Sequence, residues 1–167
     1  MSVTLDTAPD RAVVAFHATG RAVGKMRNEV NVRMVQPMVE HFEMATDEGP
    51  FHGGDASAPP PLAHFVTGLT GCIMTQIRAF ARRMGVTLKD LTVETRVEWD
   101  WAREGRVYET APKSFEIDVN VESDDPPEKV EALIHAAKKG CFIEQTLGQA
   151  NRITHRMRVG DGWVAVD

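Results

Sequence analysis

A chain of 167 residues, 43% hydrophobic and 26% charged, is long enough to build a real core, and a single domain over residues 1–167 is expected. A formal charge of −5, with no more than two basic residues in a row, argues against nucleic acid or an anionic membrane surface as the partner. Two cysteines far apart in the sequence, with no Cys-x-x-Cys, exclude a secreted disulfide framework and a zinc site, so free thiols in a reducing cytoplasm are expected.

The first ten residues have neither a basic stretch nor an apolar run, and no secretory leader is expected there. Val13–Ala18 reads as a strand, with Thr19-Gly20 opening a turn. Glu29–Val35 alternates Val30, Val32 and Met34 with polar residues, and Met38–Met44 adds another strand. Asp47 to Pro61 is rich in glycine and proline and reads as a loop whose last prolines open a helix. From Leu62 to Met84 the period becomes helical: Leu62, Val66, Leu69, Ile73, Ile77, Phe80 and Met84 form one stripe, and Gly85 ends it. Thr70, Gly71, Thr75, Gln76 and Arg78 interrupt this helix, which rules it out as a membrane span.

Two alternating runs follow. Val93, Thr95, Val97, Trp99 and Trp101 face one way in the first, as do Phe115, Ile117, Val119 and Val121 in the second, which is the pattern of antiparallel strands with one wet face. Asp124-Asp125-Pro126-Pro127-Glu128 supplies an N-cap, first-turn prolines and an acid for the helix dipole. Val130, Leu133, Ile134 and Ala137 form the buried stripe of this second helix, and Lys138-Lys139-Gly140 closes it. A short helix over about Cys141–Gln149 comes next, then a strand around Ile153–Val159, a Gly160-Asp161-Gly162 turn and a closing strand at Trp163–Val166. The order β-β-β-α-β-β-α-β-β is α+β, without the alternation of a parallel sheet.

Chemistry, if present, concentrates on Cys72 and Cys141. Cys72 lies on the flank of the long helix's apolar stripe and shares a face with Phe65, Gly68, Gln76 and Ala79. Gly68 and Gly71 each cost about 1 kcal/mol against Ala inside a helix, so they call for a close neighbour. By its local sequence Cys72 reads as a small buried hydrophobe beside tightly packed helices rather than as a reactive thiol. Cys141 follows Gly140 at the start of a helical turn, with Lys138 and Lys139 nearby. Local sequence therefore makes it the more acidic thiol, whereas burial among Phe142 and Ile143 would act the other way. The six histidines show no ligand spacing, so no metal is expected, and the glycines around Gly53 fit no phosphate-binding pattern.

The segment from Gly53-Gly54-Asp55 through Pro59-Pro60-Pro61 to Thr67-Gly68-Leu69-Thr70-Gly71-Cys72, with the later Ala136-Ala137-Lys138-Lys139-Gly140-Cys141-Phe142-Ile143-Glu144-Gln145, resembles the OsmC/Ohr family of osmotically inducible and organic-hydroperoxide-resistance proteins. The likeness extends over nearly the whole chain. It implies an intertwined homodimer in which antiparallel sheets wrap two main helices. It also implies a thiol-dependent peroxidase that acts on organic hydroperoxides in oxidative-stress defence. Cys72 would be the attacking thiolate and Cys141 its resolver, with the disulfide reduced by a dithiol such as a lipoylated protein and with no dissociable cofactor. A supporting arginine is implied too, Arg21 by its Thr-Gly-Arg context or else Arg27. Leu62, Phe65 and Leu69 would line an apolar pocket for alkyl peroxides. Two positions depart from the family: Leu62 and Ala63 stand where it has a glutamate, and Phe142 where it has a proline. The alternative implied by the missing carboxylate is a non-enzymatic member of the same fold that binds a small apolar or thiol-reactive molecule.

Overall fold

Alternation and helical periodicity both carry through into three dimensions. The computed structural model describes residues 10–166, in which β1 (Ala15–Val23), β2 (Arg27–Gln36) and β3 (Glu40–Thr46) are followed by α1 (Pro61–Met84), and then β4 (Asp90–Glu104) and β5 (Val107–Glu122). Next come α2 (Pro127–Gly140), α3 (Phe142–Leu147), β6 (His155–Val159) and β7 (Gly162–Val166). The fold is α+β, with every strand pairing antiparallel. Contacts divide the chain into two compact units, one up to Phe65 and one from Val66, with α1 running through the boundary.

In the first unit β1, β2 and β3 form a meander. Its register places Ala18 opposite Val32 and Val32 opposite Phe42, with Phe16 beside Met34 and Val30 beside Met44, so one face of the sheet is apolar. His17, Arg33 and His41 align on the other face, beside Thr19, Asn31 and Glu43. The turn expected at Thr19-Gly20 is instead continuous strand. β1 runs on to Val23, and the chain reverses at Gly24, whose φ of +73° suits glycine. Thr19 and Gly20 pair with Asn31 and Val30, and these ladder bonds override a local turn preference.

The loop from Asp47 to Pro60 is held by a buried carboxylate. Asp47 accepts hydrogen bonds from the Ser57 N–H and hydroxyl and from the Glu48 N–H, at 2.7–2.9 Å, and is only 2% exposed. The Ser57 bonds, followed by those from Glu48 and Asp55, hold the Asp47 carboxyl below the ordinary carboxylate range. Arg27 donates to the Ser57 carbonyl and hydroxyl, and Lys25 reaches Asp55 at 2.7 Å. Gly54 belongs to the same clamp, because a Cβ there would stand 1.9 Å from the Glu48 carbonyl oxygen.

The second unit holds the core. Ile73, Ile77 and Ala81 of α1 pack with Leu133 and Ala137 of α2, with Val86 and with Cys141, and Leu91, Val93, Ile117 and Val119 of the long β4–β5 hairpin cover them. Val93 pairs with Val119 and Leu91 with Val121, as the alternation requires. A bulge at Glu98/Trp99, where Trp99 opposes Pro112 and Glu98 opposes Ser114, shifts the register before the outer half of the hairpin. Thr70 fastens α1 to the sheet through a 2.9 Å hydrogen bond to the Thr95 hydroxyl.

Two helix ends differ from expectation. Asp124 and Asp125 do not cap α2, whose N-cap is Pro126. Asp125 instead accepts the Thr87 N–H at 2.7 Å and pairs with Lys129 at 2.6 Å, tying α2 to the end of α1. Gly140 ends α2 without a left-handed turn, whereas Gly85 ends α1 with a φ of +66°. β6 and β7 form a hairpin across Gly160-Asp161, as expected, and every residue of its two strands is exposed.

Candidate active site

The thiols meet where α1 passes the junction of α2 and α3. Cys72 reaches this point because it lies three residues before Thr75 and one before Ile73, on the flank of the face that α1 buries, and it packs against the core while remaining partly exposed. Cys141 sits between α2 and α3, with its N–H on the Lys138 carbonyl and its own carbonyl accepting the Gln145 N–H. It is completely buried. The Cys72 thiol lies close enough to bear on the proton of Cys141, and the N–H groups of Ile143 and Glu144 at the start of α3 lie on the side of the Cys141 sulfur.

Two glycines lie at the close approach of these helices. A Cβ on Gly140 would lie 2.6 Å from Cζ of Phe80, so only glycine lets α1 come so close beside Cys141. A Cβ on Gly68 would lie 3.2 Å from Cδ1 of Ile143, which accounts for one of the two costly helical glycines. Gly71 faces open space among the described residues and has no such neighbour.

Burial overrides the acidity that local sequence suggested for Cys141. Removal from water pushes the Cys141 thiol up to about 11; the Glu144 and Ile143 N–H groups oppose this, and the adjacent Cys72 thiol adds to it. The two lysines do not decide the matter. Native protein at neutral pH is expected to take up one equivalent of iodoacetamide, at Cys72, and a second only after unfolding, as intact-mass measurement would show. Equal labelling of both thiols in the folded state would contradict the burial of Cys141. The folded thiol also holds its proton above the ordinary value of 9.0. Between about pH 9 and 11 the unfolded chain therefore carries fewer protons than the folded one, so the contribution of Cys141 to stability falls as pH rises through that window.

The remaining predicted residues are distributed as follows. Arg21 lies on β1, exposed, and pairs with Glu29 at 3.6 Å. Arg27 opens β2 and is engaged by Ser57. Both belong to the first unit and the thiols to the second. Leu62 is 54% exposed in the first turn of α1, Phe65 is partly buried, and Leu69 is 1% exposed. Phe65 and Leu69 stand seven and three residues before Cys72, on its side of the helix. Among the described residues no group of three or more His, Cys, Asp or Glu side chains could hold a metal ion, and no helix is long and apolar enough to cross a membrane.

Comparison with known proteins now places the chain. A family model described as OsmC-like protein matches residues 53–156, a stretch that contains both cysteines. The chain belongs to the OsmC-like family. Among solved structures, an OsmC-like hydroperoxide resistance protein from Jannaschia sp. CCS1 is 63% identical; the match covers 92% of this chain and 98% of the other, with a TM-score of 0.64. Two distant structures share the OsmC fold alone. An OsmC-like protein from Mycoplasma pneumoniae is 16% identical over 84% of this chain and 89% of its own, with a TM-score of 0.59. An organic hydroperoxide resistance protein from Legionella pneumophila is 17% identical over 82% and 91%, with a TM-score of 0.56. No curated protein sequence matches the chain.

Sequence reading missed two features of this OsmC-like fold. Gly140 after two lysines has the signature of a helix stop, so its service to Phe80 was hidden. Asp47, in a loop of glycines and prolines, reads as a turn residue, and only Ser57 ten positions on reveals it as a clamp. An acid followed at that distance by a serine is too common a pair to signal one.

Proposed function

We propose that this chain is a thiol peroxidase that reduces organic hydroperoxides, with Cys72 attacking and Cys141 resolving. The pairing of a partly exposed thiol with a buried one packed beside it is the observation that carries this reading. Deprotonated Cys72 attacks the outer oxygen of R–O–O–H. The O–O bond breaks, an S–O bond forms, Cys72 becomes a sulfenic acid, and the alkoxide leaves and takes a proton from water. Cys141 then displaces that oxygen, forming the disulfide and releasing water. A dithiol, such as a lipoylated protein, supplies the two electrons that restore both thiols. Access favours this order of roles, because a peroxide can reach Cys72 but not the fully buried Cys141. The Ile143 and Glu144 N–H groups would steady the Cys141 thiolate at the moment of attack. Turnover of cumene hydroperoxide with dithiol reductant is the test, with the Cys72→Ser protein as control. Stoichiometric binding without turnover would instead support the binding-protein reading, which Leu62 and Ala63 in place of a glutamate favour.

The working form would be a homodimer in a reducing cytoplasm. A two-stranded hairpin is marginal by itself, yet β6–β7 leaves Met157, Trp163 and Val164 more than half exposed. The apolar face of the β1–β3 sheet likewise leaves Phe16 51% exposed. A second copy of the chain would cover such faces, as the family resemblance implies. Light scattering is expected to give twice the 18.5 kDa chain mass. A monomer at micromolar concentration would refute the dimer.

A further inference from the structure

We propose that Gln76 is a catalytic hydrogen-bond donor for the second half of the cycle, holding the oxygen that peroxide cleavage leaves on Cys72 while Cys141 closes the disulfide. This rests on the peroxidase reading above. Gln76 stands one helical turn after Cys72 on α1, and side chains four apart on a helix are direct neighbours. Its amide extends toward the residue before Cys141, with Oε1 3.4 Å from where a Cβ on Gly140 would lie. The side chain is half-buried, and its amide has no hydrogen-bond partner among the described residues. A polar group without such a partner, one turn from Cys72 and against the residue before Cys141, is available to an oxygen that arrives there.

Chemistry at the pair creates the need for such a donor. Backbone N–H groups of Ile143 and Glu144 already ease negative charge on the Cys141 sulfur. In the sulfenic acid, the oxygen on Cys72 must turn away from Cys141 so that sulfur meets sulfur. In the closing step the Cys72 S–O bond breaks, the S–S bond forms, and the oxygen leaves as water with the proton that Cys141 gives up. An N–H from Gln76 to that oxygen would both aim it and stabilise the negative charge it gains as it departs. Rotation about the last side-chain torsion presents either end of the amide to this position.

Single-turnover quenched-flow experiments with cumene hydroperoxide separate the two steps, trapping sulfenic acid with dimedone and counting remaining thiols. Gln76→Met keeps the side chain's length and removes the donor. It is expected to leave O–O cleavage little changed, to slow disulfide closure about tenfold and to let sulfenic acid accumulate. Gln76→Glu keeps the shape but cannot donate when ionised. Its closure rate relative to wild type is expected to recover as the pH is lowered toward about 5 and the carboxyl gains a proton. Closure at the wild-type rate in both variants, with normal cleavage, would overturn the role of Gln76 and leave the peroxidase reading standing. Equal slowing of cleavage and closure would overturn it too, because that is the mark of general disruption. Wild-type protein that neither consumes the hydroperoxide nor loses its two thiols would overturn the peroxidase reading itself.

Discussion

Replacing Cys72 by Ser is expected to reduce hydroperoxide turnover roughly a thousandfold or more, because the nucleophile itself is lost. A serine hydroxyl is not ionised at neutral pH and is a poor nucleophile toward an O–O bond, whereas a thiolate is both charged and polarisable. The substitution is nearly isosteric at a partly exposed position, so the fold should persist and unchanged circular dichroism would show it. Cys141→Ser supplies the contrast. That protein should release one equivalent of alcohol from cumene hydroperoxide and stop at a sulfenic acid that dimedone traps. Measuring alcohol per chain distinguishes the two, with none expected for Cys72→Ser and one for Cys141→Ser. Wild-type turnover in the Cys72→Ser protein would refute the assignment of Cys72 as attacker.

Leu133→Ala is expected to destabilise the protein by about 3 kcal/mol, read as a lower urea midpoint at unchanged slope. Leu133 is completely buried in the cluster that joins α1 and α2, and Cys141 belongs to the same cluster. Truncation removes apolar contact and leaves a cavity that the surrounding helices can close only in part. The site should suffer as well, since Ala137, Cys141 and the turn into α3 lean on the same residues. Cys141, shielded from solvent in the folded protein, should then label faster with iodoacetamide. A loss below about 1 kcal/mol would mean that the α1–α2 contact contributes little to stability.

Much of this architecture was legible in the residues. Alternation at Val93–Val97 and Ile117–Val121 located the long hairpin, because one buried face leaves a period of two in any strand. The stripe from Leu69 through Ile73 and Ile77 located the buried face of α1, and all three are within 1% of complete burial. Two motifs around Cys72 and Cys141 sufficed to identify the OsmC-like family. Boundaries were less legible: β1 passes straight through Thr19-Gly20 because pairing with β2 outweighs a two-residue turn preference.

By itself, then, the sequence determined the order of elements, the buried faces and the two thiols as the place to look. Periodicity and local motifs are properties of neighbouring residues, and they survive in one dimension. Only the tertiary structure decided which thiol is accessible, because the burial of Cys141 outweighs the lysines and helix start beside it in the chain. It alone showed why Gly140 and Gly68 are glycines, since the atoms they admit, on Phe80 and Ile143, belong to residues 60 and 75 positions away. Desolvation and close packing depend on neighbours in space, and no window of sequence contains them.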